Sequence, residues 1–179
     1  MPDHVREDIA LVRAAVEGDA NAFGQLYLLH LDAIYRYIRF RVGNAADAED
    51  LTEQVFLKAW EAIASYRMRG MSFSSWLYRI AHNLVMDHHR QNAPEVVVPL
   101  QSENTPSSDG RGTVEQVIES GELAAVAAAI SHLSEEQQQV AVLRFIEGLS
   151  HAEVSRIIDK SLGACRVIEA GIRLANALY

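Results

Sequence analysis

The sequence predicts an all-α protein: two small helical domains joined by a flexible linker, the second carrying a helix-turn-helix. Three observations lead there. Apolar residues recur at spacings of three and four along most of the chain, and no sustained alternating run reads as a strand. The one short β-like run, Val96 to Val98, is boxed in by Pro94 and Pro99. A stretch rich in proline, serine and glycine divides the chain, and near its end two short helical patterns are separated only by Asp159-Lys160-Ser161.

The first helix is expected over about residues 6–17, with Gly18 as its stop. Asp19 or Asn21 can cap the second, which carries Phe23, Leu26, Tyr27, Ile34, Tyr35 and Ile38 before Gly43-Asn44 breaks it. The third is expected over about residues 46–64. Its Leu51, Val55, Ala59 and Ile63 repeat every four residues and form one buried stripe, with Phe56 and Trp60 alongside and Glu49, Glu53 and Lys58 opposite. A loop around Arg67 to Ser72 contains Gly70, and a fourth helix follows over about residues 74–91. Residues 1–91 thus form the first domain.

Residues 92–112 form the linker. They hold Pro94, Pro99, Pro106 and the run Ser107-Ser108-Asp109-Gly110, a composition that cannot bury a core. Residues 113–179 form the second domain. Its helix starts are marked by three capping boxes: Thr113 with Gln116, Ser134 with Gln137, and Ser150 with Glu153. Val140, Leu143 and Phe145 are expected to support the helix-turn-helix from the preceding helix, and a last helix begins near Ser161 or Leu162.

The 179 residues, 49% hydrophobic, suffice for two small cores. No run of about 18 uncharged apolar residues is present to cross a membrane. The first ten residues carry Asp3, Glu7 and Asp8 and do not read as a signal peptide. The single cysteine, Cys165, excludes an intrachain disulfide and reads as a small packed hydrophobe. A cytoplasmic protein is expected. The net charge of −8 runs against simple DNA binding, where phosphate contacts supply most of the affinity. Between Ala62 and Met86, however, there is no Asp or Glu, while Arg67, Arg69 and Arg79 fall inside and Arg90 follows. An acidic body with one basic window suits a protein that meets DNA with a larger partner's help.

The fourth helix carries the most chemistry. Trp76, Leu77, Ile80, Ala81, Leu84 and Val85 form its inward stripe, and Arg79, His82, Asn83, Met86 and Arg90 fall together on another face. Arginine clamps phosphate, asparagine makes paired hydrogen bonds to a base edge, and nearby aromatics can stack on an unpaired base. The same spacing also fits an ordinary amphipathic helix with a solvated face, and the two short C-terminal helices also fit a plain helical hairpin. His82, His88 and His89 have no acidic or cysteine ligand at metal spacing beside them, so no metal site is expected. No phosphate loop, nucleophile elbow or carboxylate pair points to an enzyme.

Three runs resemble one known family. Asp47 to Trp60, reading DAEDLTEQVFLKAW, is similar to the core-polymerase-binding helix of bacterial RNA polymerase sigma factors of the extracytoplasmic-function group. Phe73 to Arg90, with Trp76-Leu77-Tyr78-Arg79-Ile80-Ala81 and then Asn83, resembles their promoter-melting helix. Leu133 to Ser150, including Val142-Leu143-Arg144-Phe145 and Glu147-Gly148-Leu149-Ser150, looks like the start of their fourth conserved region. The resemblance implies an alternative sigma factor with no cofactor. Asp50, Glu53, Gln54 and Phe56, or their neighbours, would grip the clamp of core RNA polymerase. Trp76 and Asn83 would help open the minus-ten element and hold a flipped base, which agrees with the polar face of Arg79, His82, Asn83 and Arg90 read above as contacting DNA. Lys160, Ser161, Arg166 and Arg173 would contact the minus-thirty-five element, while the second domain docks on the polymerase flap. An anti-sigma protein is a further partner the resemblance implies.

The sequence departs from the family pattern in places. Glu53 then Gln54 stand where the family has Gln then Glu, and Asp159 replaces a frequent turn glycine. The recognition helix keeps only Arg166 and Arg173 as cations, and Glu169 is expected to repel phosphate. From Val114 onward there are five basic and nine acidic residues, a charge of −4. Val167, Ile168 and Ile172 are expected to pack inside the domain or against a partner, and Gly171 to weaken the helix by about 1 kcal/mol relative to alanine. These departures keep a second function open: a sigma-like regulator that binds polymerase or a partner without reading the minus-thirty-five element.

Overall fold

A computed structural model describes residues 3–67, 70–92, 129–130 and 132–176. The linker and the Thr113 capping box lie outside the described residues. Within them the chain is entirely helical, as expected: α1 (Asp3–Val16), α2 (Ala20–Val42), α3 (Ala45–Ala62) with a 3-10 turn at Ile63–Ser65, α4 (Phe73–Asn92), α5 (Glu135–Ala141) running into a π-helical turn at Val142–Ile146, α6 (His151–Ile157) and α7 (Leu162–Asn176).

Capping chemistry sets most boundaries. Gly18 (φ 99°) ends α1, and Asp19, rather than Asn21, caps α2 by accepting from the amides of Asn21 and Ala22 at 2.9 and 3.2 Å. Gly43 closes α2 in the left-handed region (φ 79°), and Asn44 caps α3. Ser72 accepts from the Ser75 amide at 3.2 Å and starts α4 one residue before the expected position. The Ser134 and Ser150 capping boxes both form. In the turn between α6 and α7, Asp159 takes the left-handed conformation (φ 54°) that a glycine would adopt without strain. Ser161 caps α7 by accepting from the Ala164 amide at 3.1 Å.

The first four helices share one core built on Leu26, Ile34, Ile38, Val55, Leu77 and Val85. The expected α3 stripe is buried throughout. On α4, Leu77, Ala81, Leu84 and Val85 are buried as expected, Phe73 and Tyr78 join them, and Trp76 and Ile80 are only half-buried. Three rings gather at the start of α4: Trp76 lies 4.8 Å from Tyr66 and 5.7 Å from Phe73.

The buried cluster continues into the second domain with Val140, Val142, Leu143, Val154, Ile157, Cys165 and Ile172. Phe145 does not support it. The π-helical winding turns Val142 and Leu143 inward together and leaves Phe145 53% exposed. At Gly171 a Cβ would stand 3.3 Å from Gln137 Nε2 of α5, a tight approach to the end of a side chain. The two domains touch: α6 packs against α4, and the π-helical turn packs against α2.

Candidate nucleic-acid and partner interface

Helix α4 has three faces rather than two. Leu77, Ala81, Leu84 and Val85 point into the core. Ser75, Tyr78, His82 and Met86 form a second stripe at spacings of three and four, and this stripe faces the other domain. Ser75 Oγ donates to Glu153 at 3.4 Å, Tyr78 Oη donates to Glu147 at 2.7 Å, and Gln139 Nε2 lies 3.1 Å from Met86 Sδ. The third face is exposed and carries Arg79, Asn83, Asp87 and Arg90.

The single polar face expected from sequence is therefore split. Arg79, Asn83 and Arg90 stand together on the open side. Arg90 leans on Asp87 at 2.8 Å, but both side chains are more than half exposed, so this pair holds the guanidinium only weakly. His82 sits at the covered edge, half-buried, with its Nδ1 buried and without a hydrogen-bond partner. Burial, reinforced by the cations of Arg41 and Arg79 and opposed by Glu135, pushes its pKa down to about 4, so it is a neutral ring near pH 7. Trp76 belongs to the aromatic cluster with Tyr66 and Phe73 at the N-terminal end of α4.

On α3, Asp50, Glu53 and Gln54 are exposed and, with Leu57, line a shallow hollow of about 420 Å³. Phe56 is only 5% exposed, and its ring packs 4.7 Å from Tyr27, so it holds α3 in place from beneath. Leu57, 58% exposed, takes the surface position instead. It lies three residues from Gln54 and four from Glu53, so helical spacing alone could have found it.

The cations of the helix-turn-helix are mostly engaged. Lys160 Nζ meets Glu136 at 2.7 Å, and Arg173 meets Glu169 at 2.7 Å. Arg166 is exposed, and Ser161 serves as the cap of α7. Glu169 does not face outward. It is 4% exposed and turned into the domain, where it takes hydrogen bonds from Arg144 Nε (3.4 Å) and His151 Nε2 as well as Arg173. Burial opposes its ionisation, but the bonds and charges of His151 and Arg144 win, and its carboxyl is held below the usual range. The expected repulsion of phosphate is thus replaced by a buried ionic hub. Of the apolar residues on this helix, Ile172 is buried, Ile168 half-buried and Val167 73% exposed.

Among the described residues no three His, Cys, Asp or Glu gather at ligand distance, and no helix is long and apolar enough to cross a membrane. His88 instead reaches Asp47 at 3.3 Å.

A polar, cation-bearing helix on one domain and a helix-turn-helix on the other define a two-region protein of the sigma-70 type. Family models agree: Sigma-70 region 2 matches residues 26–95, and Sigma-70, region 4 matches residues 123–167. The ECF RNA polymerase sigma factor BldN of Streptomyces coelicolor is 39% identical over 159 residues, covering 89% of this chain and 60% of its own length. The ECF RNA polymerase sigma factor SigM of Mycobacterium tuberculosis is 32% identical over 177 residues, 98% of this chain and 86% of its own. A solved structure of CnrH in complex with the cytosolic domain of CnrY superposes with a TM-score of 0.71 at 26% identity, covering 96% of both chains. The chain belongs to the ECF group of RNA polymerase sigma factors.

Proposed function

We propose that the chain is an alternative sigma factor that binds core RNA polymerase and directs promoter-specific initiation. The observation that carries this reading is the open side of the first domain. Arg79, Asn83 and Arg90 share one free face of α4, while Asp50, Glu53, Gln54 and Leu57 present a separate free face of α3. One surface is built for nucleic acid and the other for a partner, on two helices packed together.

In this reading residues 1–91 grip the polymerase through α3 and open the minus-ten element with α4. Asn83 hydrogen-bonds a base edge, a contact worth about 1–3 kcal/mol of discrimination. Arg79 and Arg90 hold the backbone, and the cluster of Tyr66, Phe73 and Trp76 offers rings on which an extruded base can stack. Extrusion takes a few kcal/mol, which polymerase binding offsets. Residues 92–112 link to residues 113–179, which dock on the flap and meet the minus-thirty-five element through Lys160, Ser161, Arg166 and Arg173. The chain works in the cytoplasm, beside the polymerase, and has no catalytic step of its own. CnrH was solved with the cytosolic domain of CnrY, and we extend a regulatory protein partner, an anti-sigma factor, to this chain.

A second reading, a sigma-like regulator without upstream recognition, is favoured by one observation: Lys160 and Arg173 are already paired with acids of their own domain. Reconstitution with bacterial core polymerase on a genomic fragment library separates the two. Run-off transcripts that start at defined sites only when the protein is present support the sigma factor. Stable polymerase binding without such starts supports the regulator.

A further inference from the structure

We infer that the second domain closes over α4 as an internal latch centred on Glu147, and that this closed arrangement competes with promoter engagement. The inference rests on the two-element promoter reading above.

Glu147 follows the π-helical turn of the second domain, yet its partners lie in the first. Its carboxylate is 3% exposed and takes a two-pronged grip from Arg36, Nε at 2.9 Å and an Nη at 2.8 Å, plus the hydroxyl of Tyr78 at 2.7 Å. Planar guanidinium and carboxylate match in such a fork, and the charge assistance makes it stronger than a neutral pair. A second cation, this one fully buried, reaches across the same boundary. The Arg41 side chain is 0% exposed and donates to the Glu135 carbonyl at 3.0 Å and its carboxylate at 3.4 Å. Arg156 of α6 donates to the Gly70 carbonyl. The boundary is thus specific.

Beside the apolar contacts that continue across it, many of its contacts join groups that water solvates well. Opening returns ions and hydroxyls to solvent, which offsets much of what the contacts contribute. An interface of this kind fits a reversible closure better than a permanent one.

Closure and promoter reading cannot coexist. The minus-ten and minus-thirty-five elements lie about 25 base pairs apart, about 85 Å of B-DNA at 3.4 Å per step. In the closed chain α6, the first helix of the helix-turn-helix, lies directly against α4, itself only about 30 Å long for its 20 residues. One of the two readers must leave the other before both elements are held. The covered edge of α4, His82 and Met86, would be freed in the same step. Polymerase and promoter therefore select the open chain, and their apparent affinity is scaled down by the fraction of chains that is open.

The test uses the full chain with Arg36→Glu, Glu147→Gln, and the swapped pair Arg36→Glu with Glu147→Arg. Small-angle scattering of the free proteins reads closure, and run-off transcription at limiting chain concentration reads its consequence. The wild type should be compact. Arg36→Glu should expand, and its half-saturating amount in transcription should fall about tenfold, the share of one charge-assisted contact. Glu147→Gln, the conservative change, should shift both readouts the same way but less. The swapped pair should restore compaction and the higher half-saturating amount. Equal radii for wild type and Arg36→Glu, with circular dichroism unchanged, would overturn the latch. Expansion without any fall in half-saturation would overturn the competition. Absence of transcripts from every form would sink the promoter reading alone, since scattering still decides whether the latch exists.

Discussion

Replacing Glu169 by alanine separates two opposite pictures of α7. A carboxylate facing DNA would repel phosphate, so its removal would tighten DNA binding. The structure instead buries it at 4% exposure between Arg144, His151 and Arg173. Arg173 is 71% exposed, so its share is about 0.5 kcal/mol at most. Arg144 is 21% exposed and also donates to the Leu149 carbonyl that precedes α6. Stranding that cation contributes most of the loss, and the change as a whole should destabilise the second domain by about 3 kcal/mol, the lower end for breaking a buried pair. Glu169→Gln keeps an acceptor and should lose about half as much. Urea unfolding followed by circular dichroism measures it. With a slope near 1.5 kcal/mol per molar, the midpoint falls by about 2 M. A cycle with Arg144→Ala should show coupling above about 1 kcal/mol. The depressed carboxyl adds a sign: its contribution is present above the ordinary carboxylate pKa and is lost as pH falls through the folded value. A loss below about 0.5 kcal/mol together with tighter DNA binding would refute the buried hub.

Three further outcomes follow from the site. Phe56→Ala should cost about 3–5 kcal/mol of stability by opening a cavity under α3, whereas Leu57→Ser should leave stability within about 0.5 kcal/mol and weaken polymerase binding about tenfold; equal polymerase affinity for Leu57→Ser and wild type in a pull-down titration would remove Leu57 from the interface. Asn83→Ala should abolish initiation while polymerase binding stays intact, and normal transcripts from that variant would end the melting role. His82, held at about 4 against an ordinary 6.5, favours the folded chain while neutral, so stability is intact above pH 6.5 and lost as pH falls toward 4, by up to about 3 kcal/mol. His82→Gln should flatten that part of a melting-temperature profile, and parallel profiles for the two proteins would sink the assignment.

Local features were legible because they are written in local chemistry. Asp19, Ser134 and Ser150 cap helices through side chains that reach amides two or three residues on, which a sequence displays directly. The four-residue stripe of α3 likewise fixes which residues enter the core, and all four do. What spacing could not separate were neighbours on one helix. Phe56 and Leu57 differ by about 100° around α3, and which one meets solvent is set by where Tyr27 of α2 happens to pack. The same holds for Phe145, displaced by a π-helical turn that carries no sequence mark. Contacts between domains were invisible for a stronger reason. Arg36 and Glu147 are 111 residues apart, and nothing local couples them. His82 was read as part of the open polar face because its half-buried position at the edge facing the other domain could not be seen.

The net charge of −8 set the main difficulty for a DNA-binding reading, and the structure answers it by position rather than by sum. In the second domain, acids tie up cations: Glu136 holds Lys160, while Glu169 holds Arg144 and Arg173. Arg166 alone of the recognition helix's cations is exposed with no ion pair found among the described residues. On α4 the balance reverses, because Arg79 and Asn83 share an open face with only the weakly paired Arg90 and Asp87 beside them. Affinity for duplex DNA scales with the phosphates neutralised, so the isolated chain should bind promoter duplex weakly and with a shallow salt slope. Phosphate contacts that the chain does not make must then come from the polymerase. Under the proposed roles of Asn83 and the ring cluster, specificity would rest on few contacts of an acidic body, and reading would be restricted to the moment when polymerase holds the strands apart. An alternative sigma factor gains from that restriction, since free protein would otherwise occupy promoters without starting transcription.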